Sequence, residues 1–219
     1  MNDLKEKINS VLPWYECELP FCKKKVSFTP FRVKDAKNIS IILQENNSSL
    51  AIRSLIDVLK TNCDLKEIEN LCLADAEYLF LQIRSKSVEE QLNLIVNSKP
   101  IKVNINDIKF KNTLIKNQII ECGKLQLSIT TPTLKKLLNV DVNDNVSYIK
   151  ALIESISFKN EVYDLEKFVS KEVKELVDNL PLSFLNEIEK IKHPELYMNI
   201  LEEGKEVEVS GRLTFFTFR

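Results

Sequence analysis

The sequence predicts an α+β fold in which antiparallel hairpins alternate with helical blocks. Two patterns carry this prediction, because apolar residues alternate with period two in some stretches and recur every three to four residues in others. Strand-type alternation occupies residues 14–31, 91–131 and 196–218, and helix-type spacing occupies 33–90 and most of 132–194. Runs of strands separated by runs of helices favour α+β over alternating βα units.

The first hairpin is predicted from two short segments rich in aromatic and β-branched residues, 14–19 and 25–31. The residues Pro20–Lys23 between them are typical of a turn. Pro30 has no N–H to donate to a ladder, so the second strand ends there or lies at a sheet edge.

The central helix of the first helical block is predicted to begin at Asp75, a residue type that caps helix amino termini. Leu79 and Ile83 lie on one face of this helix at a spacing of four residues. The run Tyr78–Leu81 makes the helix apolar nearly all round, which is typical of a helix at the centre of a core.

The remaining elements are expected to complete one domain over residues 1–219. Alternating apolar residues predict hairpins that project near 91–111 and 196–218, and a subdivision near residue 131 is the alternative division. A chain of this length can bury a core without disulfides or metal ions.

Composition excludes several classes of protein. No run of about 18 apolar residues is present, so we expect no membrane span. The 31 basic and 32 acidic side chains give a net charge of -1, which argues against general nucleic-acid binding. Only three glycines occur, at 123, 204 and 211, and no two of them can form a phosphate-binding fingerprint.

The sequence also offers little for catalysis. The single histidine, His193, precedes a proline at a predicted helix end, and none of the five cysteines forms a Cys-x-x-Cys pair. We therefore expect no catalytic residue, no cofactor, no metal and no small-molecule substrate. Two alternatives stay open: a hydrolase that uses Cys122 or a carboxylate pair, and a nucleic-acid module at Lys23–Lys25, where the lysines more simply solvate a hairpin edge.

Three segments together carry a resemblance to a known family. Lys25–Asp35 contains a strand that ends in Thr-Pro-Phe before a charged helix, and Leu73–Val88 contains Asp-Ala-Glu-Tyr-Leu-Phe followed by Ile-Arg and Ser-Val. Ser210–Phe216 has the form Gly-x-x-x-Phe-Phe. These segments resemble the T-even-type bacteriophage baseplate proteins, and the resemblance runs from about residue 19 to 216.

The resemblance implies a structural or assembly component of the baseplate hub of a contractile tail. Such a protein acts through contacts with other hub or tail assembly proteins, without catalysis, in the virion baseplate or in the host cytoplasm during assembly. The alternative within the family is an assembly chaperone absent from the mature virion. The motif residues that become candidates for interaction are Pro30, Phe31, Asp75, Tyr78, Phe80, Arg84, Phe215 and Phe216.

Two of these expectations concern charge and metal. Arg84 follows an apolar helix and could form a bidentate pair with Asp75, with Glu77 or with a neighbouring subunit. The resemblance also implies Cys-x-x-Cys pairs in two hairpins, where this chain has Ile95–Pro100 and Ile200–Gly204. Because neither segment contains a cysteine, we expect both hairpins to be held by ordinary turns without zinc.

Overall fold

A computed structural model of the protein describes residues 11–44, 47–96, 99–159, 161–167, 170–202 and 204–210. These residues form seven α-helices and eleven strands, with four short 3₁₀ turns between them. The strands β1–β11 are Tyr15–Glu18, Lys25–Phe28, Gln91–Val96, Lys99–Asn104, Lys109–Lys111, Gln118–Cys122, Leu125–Ile129, Ile153–Phe158, Glu161–Asp164, Glu195–Glu202 and Lys205–Ser210. The helices α1–α7 are Ala36–Gln44, Ser48–Asn62, Leu73–Ser87, Leu134–Leu137, Asn145–Leu152, Ser170–Asp178 and Leu182–Glu189.

The first hairpin, β1–β2, is antiparallel and lies against the end of α2. Ser27 and Asp64 are joined by two hydrogen bonds of 2.9 and 3.0 Å, and the Thr29 N–H donates to the Asn62 carbonyl at 2.8 Å. The Asn62 side chain, which is buried, donates to Asp35 Oδ2 at 3.0 Å. These polar contacts join β2, the end of α2 and the turn that precedes α1.

Helices α2 and α3 provide the centre of the core. Each has 15 residues, and α3 is buried on nearly every side, as the sequence predicts. The largest fully buried side chains are Phe28, Phe80, Phe184, Leu19, Ile52, Leu55, Leu59, Ile68, Leu79 and Leu81. Most of them come from α2, α3 and the segments beside them. Buried apolar residues from Leu19 to Ile200 form one cluster, so strands far apart in sequence share the same core.

Both predicted hairpin regions contain antiparallel pairs. Strands β3 and β4 form a two-stranded ladder from Gln91–Asn104 to Val96–Lys99. Strands β10 and β11 pair from Tyr197–Ser210 to Glu202–Lys205, and β5 joins the other edge of β10. The order β11–β10–β5 leaves β5 as an edge strand, which places Phe110 at the margin of the sheet.

The prediction that residues 132–194 are mostly helical is wrong over 153–164, where β8 and β9 extend a four-stranded antiparallel sheet. The register explains the error. Ile129 faces Ile153 and Leu127 faces Ile156, so β8 contains one extra residue between these pairs. A bulge of this kind turns residues three apart toward the same face, and their spacing then imitates the period of a helix.

The fold class is therefore confirmed as α+β, with small antiparallel sheets between helical segments. The division into one domain, or into two near residue 131, stays a prediction. Within the part of the chain that the structure describes, the longest helices are too short and too polar to cross a bilayer.

Candidate interaction surface

Asp75 lies in the first turn of α3 and is completely buried. Its Oδ1 accepts a hydrogen bond from the Phe21 N–H at 2.9 Å, and its Oδ2 accepts one from the Cys22 N–H at 3.0 Å. The prediction that Asp75 caps the helix is wrong, because the N-cap residue is Cys72. The carboxylate instead ties the turn of the first hairpin to the helix.

Two local features make this attachment favourable. The positive end of the α3 dipole lies at its amino terminus, where an acidic side chain is stabilised. The hairpin turn is itself closed by hydrogen bonds from Leu19 N–H to Lys24 O at 2.9 Å and from Lys23 N–H to Leu19 O at 3.1 Å. Lys23 has a φ of 60°, a left-handed conformation that costs about 1 kcal/mol and needs such support.

Phe21, Tyr78 and Phe110 form a cluster that we call the aromatic surface. The Phe21 and Phe110 rings meet edge to face at 6.2 Å and 77°, and the Tyr78 and Phe110 rings do so at 5.3 Å and 85°. Phe21 and Tyr78 are half-buried, and Phe110 keeps 43% of its surface exposed. The three rings therefore have fixed positions while still presenting apolar area to solvent.

Four cysteines lie near the base of this surface. Burial raises the pKa of Cys17 to about 12 and that of Cys63 to about 11. Burial also raises the pKa of Cys22 and Cys72, and the neighbouring Asp75 carboxylate raises both further. A thiol needs a lowered pKa to act as a nucleophile, so these four are protonated packing groups at neutral pH.

Phe31, which follows Pro30 in the chain, packs against Phe80 of α3. Phe80 is completely buried, and its ring lies 5.2 Å from that of Phe31. The Phe31 N–H donates to Ser87 Oγ at 2.8 Å, and the Ser87 hydroxyl donates to the Ile83 carbonyl at 2.6 Å. The Thr-Pro-Phe segment and the central helix motif thus fasten β2 to α3.

Arg84 lies in the last turn of α3, at the other end of the helix from Asp75. Arg84 Nη1 donates to the main-chain carbonyls of Glu89 at 3.4 Å and Gln91 at 3.1 Å, and burial lowers the pKa of its guanidinium. It therefore supports the connection between α3 and β3. Phe215 and Phe216 lie outside the described residues.

The described residues form one small cavity and several open surface clefts of about 410 to 510 Å³. A cavity of about 20 Å³ between Cys72, Glu77, Thr131 and Tyr148 has room for one water molecule. In the described ranges, no three His, Cys, Asp or Glu side chains are grouped so that they could hold a metal ion. The Cys122 side chain, on which the hydrolase alternative depends, lies outside the described residues.

Tyr78 and Asp75 are among the candidates that the sequence predicts, whereas Phe21 and Phe110 are not. Phe21 lies in a predicted turn, and Phe110 alternates with two lysines in a three-residue strand. An aromatic residue in a turn and another in a short strand are weak signals by themselves. Only the packing of β5 and the first hairpin on α3 brings them together.

Half-exposed aromatic side chains on a rigid base are typical of proteins that bind other proteins. The chain matches the family model described as "T4 bacteriophage base plate protein" over residues 12–217. It therefore belongs to this family of phage baseplate proteins. No curated protein and no solved structure matches the chain.

We expect Asp75→Ala to lower the free energy of unfolding by about 3 kcal/mol, because it leaves two buried N–H groups without their charged acceptor. Urea denaturation measures the change. Asp57→Ala, at an exposed position on α2, is the matched control and should change stability by less than about 0.5 kcal/mol. Equal effects of the two substitutions would contradict the anchoring role of Asp75.

The raised pKa values also predict a loss of stability in alkali. Between pH 9 and 11 the Cys63 thiol, whose ordinary pKa is 9.0, ionises in the unfolded chain but stays protonated in the folded one. The unfolded state is then favoured, so the free energy of unfolding should fall as pH rises through this window. The Cys63→Ala variant should lack this part of the pH-dependent fall in the free energy of unfolding, which is on the order of 2 kcal/mol.

Urea denaturation at pH 8, 9, 10 and 11 compares the two proteins. The variant should lose less stability over this range than the unaltered chain. All other ionisable groups are the same in both proteins, so the difference between the two slopes reports the effect of Cys63. Parallel slopes would show that the Cys63 pKa is not raised by folding.

Proposed function

We propose that the protein is a structural or assembly component of the baseplate hub, which acts by binding other baseplate proteins and without catalysis. The aromatic surface of Phe21, Tyr78 and Phe110 is the observation that carries this proposal. Membership of the baseplate family supports the biological setting. The surface supplies a physical means of attachment, since buried aromatic anchors contribute much of the energy of protein interfaces.

The geometry favours docking in a fixed orientation. Phe21 is held through its own N–H by the buried Asp75 carboxylate, and Tyr78 lies one helical turn further along α3. The edge contacts of the Phe21 and Tyr78 rings with Phe110 restrict their side-chain torsions further, so less side-chain freedom is lost on binding. Association costs less when the contacting groups are already ordered.

Several observations support a role without chemistry. The Cys17, Cys22, Cys63 and Cys72 thiols have raised pKa values, which is the opposite of what nucleophilic catalysis requires. The cavity beside Glu77 holds no more than one water molecule. The exposed aromatic surface is therefore the feature with the clearest capacity for function.

A retained subunit and an assembly chaperone could use the same surface, and we favour the retained subunit. Mass spectrometry of purified, complete virions should then detect this chain at a stoichiometry comparable to that of other hub components. If the chain is absent from complete particles but abundant in extracts of infected cells, the result would favour the chaperone instead.

The docking role is tested with Phe110→Ser, which removes the most exposed ring of the aromatic surface. Each of the other baseplate proteins of the same phage is expressed singly with the tagged chain, and the dissociation constant of any complex is measured. We expect a loss of affinity of at least about tenfold, the size of effect that defines an interface anchor.

Phe158→Ser is the matched control. Phe158 is another partly exposed phenylalanine, with 38% of its surface accessible, and it lies on β8 away from α3. Circular dichroism establishes that both variants remain folded. Equal affinities for the two variants, or no complex with any baseplate protein, would contradict docking through the aromatic surface.

A further inference from the structure

We infer that the partner, another baseplate protein, places an uncharged carbonyl oxygen against the Tyr78 hydroxyl, beside the apolar group that covers Phe110. This inference rests on the proposed docking function and adds the polar chemistry by which the partner is recognised. It follows from a tyrosine hydroxyl that has no hydrogen-bond partner among the described residues.

The Tyr78 ring is held in place while its hydroxyl is unused. The ring packs edge to face on Phe110, with 5.3 Å between the two ring centres. The hydroxyl forms no hydrogen bond with any residue that the structure describes. Nor is its oxygen both buried and unbonded, so the oxygen is in contact with solvent in the free protein.

Another tyrosine shows that the fold can satisfy such a group internally. The Tyr163 hydroxyl donates to Glu161 Oε2 at 2.7 Å. Burial of Tyr78 raises the pKa of its hydroxyl above the ordinary value of 10.0, so this group keeps its proton at neutral pH. The Tyr78 hydroxyl is therefore a hydrogen-bond donor that the fold leaves to water.

Docking on the aromatic surface covers this donor. An interface of ordinary size buries about 800 Å² on each partner, the area of a disc about 16 Å in radius. The Tyr78 and Phe110 rings are much closer together than that, so a partner centred on Phe110 also displaces water from the hydroxyl. A donor that loses water without gaining an acceptor weakens binding, by about tenfold or more. The partner must therefore supply an acceptor.

The site favours an uncharged acceptor. A carboxylate that is taken out of water needs several hydrogen bonds or an opposite charge. Asp75 illustrates this requirement, because its carboxylate accepts two N–H groups and lies in the first turn of α3. Tyr78 offers a single O–H, and the rings of Phe21 and Phe110 offer no donor. A carbonyl oxygen, of the main chain or of an amide side chain, is satisfied by one such donor.

The lysines on either side of Phe110 do not supply the missing charge. Phe110 pairs with Leu196 of β10, which is buried, so its side chain lies on the inner face of the sheet. Successive residues of a strand point to opposite faces, which places Lys109 and Lys111 on the outer face. Lys111 is already paired there with glutamates of β10 and β11, at 3.0 and 2.7 Å.

The test is Tyr78→Phe, which removes the hydroxyl and keeps the ring. Tyr163→Phe is the matched control, because it removes a hydroxyl that is bonded within the fold on β9. The probe is the baseplate protein that binds the unaltered chain, and the dissociation constants are measured at 50 and 300 mM NaCl. Urea denaturation establishes that both variants stay folded.

We expect Tyr78→Phe to weaken binding about threefold to tenfold at both salt concentrations, the effect of one hydrogen bond between uncharged groups. Tyr163→Phe should bind as the unaltered chain does. An unchanged affinity of Tyr78→Phe would overturn the inference. If Phe110→Ser still weakens binding in that case, the proposed docking function stands, whereas it fails if neither substitution has an effect.

Two further outcomes would also overturn the inference. A larger loss with Tyr78→Phe, which shrinks between 50 and 300 mM NaCl, would identify a carboxylate as the acceptor. Sedimentation of the chain without any other protein tests a second copy as the occupant. A dimer that Phe110→Ser dissociates would assign the aromatic surface to self-association and not to another baseplate protein.

Discussion

The buried carboxylate of Asp75 is the interaction on which the rest of this region depends. A charged side chain inside a core is costly unless hydrogen bonds and local dipoles compensate it. Here the Phe21 and Cys22 N–H groups and the amino terminus of α3 provide that compensation. In return the carboxylate attaches the hairpin turn to the helix. The position of Phe21, and hence the aromatic surface, follows from this attachment.

The family motifs describe this scaffold more than they describe a contact surface. Phe31 and Phe80 pack against each other, and Ser87 links the Phe31 main chain to the last turn of α3. These contacts and the hydrogen bonds to Asp75 attach the first hairpin to both ends of the helix. Phe110, the most exposed of the three rings, comes from a strand that none of these motifs includes.

Much of the fold could be predicted from sequence because periodicity reports burial directly. The alternation in 91–105 and the apolar run in α3 correspond to a ladder and to a central helix. The strands at 153–164 could not be predicted in this way. Strand β8 has an extra residue opposite Ser128 and Ile129, which gives its apolar residues a helix-like spacing. The predicted cap at Asp75 was wrong for a different reason. A carboxylate at the start of a helix can accept hydrogen bonds from the N–H groups of a distant segment as readily as from those of its own helix.

The sequence by itself determined the α+β class, the burial of α3 and the family, because each depends on residue types in local order. It contained no signal that relates Phe21 to Phe110. Only the tertiary structure decided that these two residues, 89 positions apart in the chain, share one surface with Tyr78. The physical reason is that their proximity arises from pairing of β5 with β10 and from hydrogen bonds to Asp75, and neither interaction has a periodic signal in the sequence.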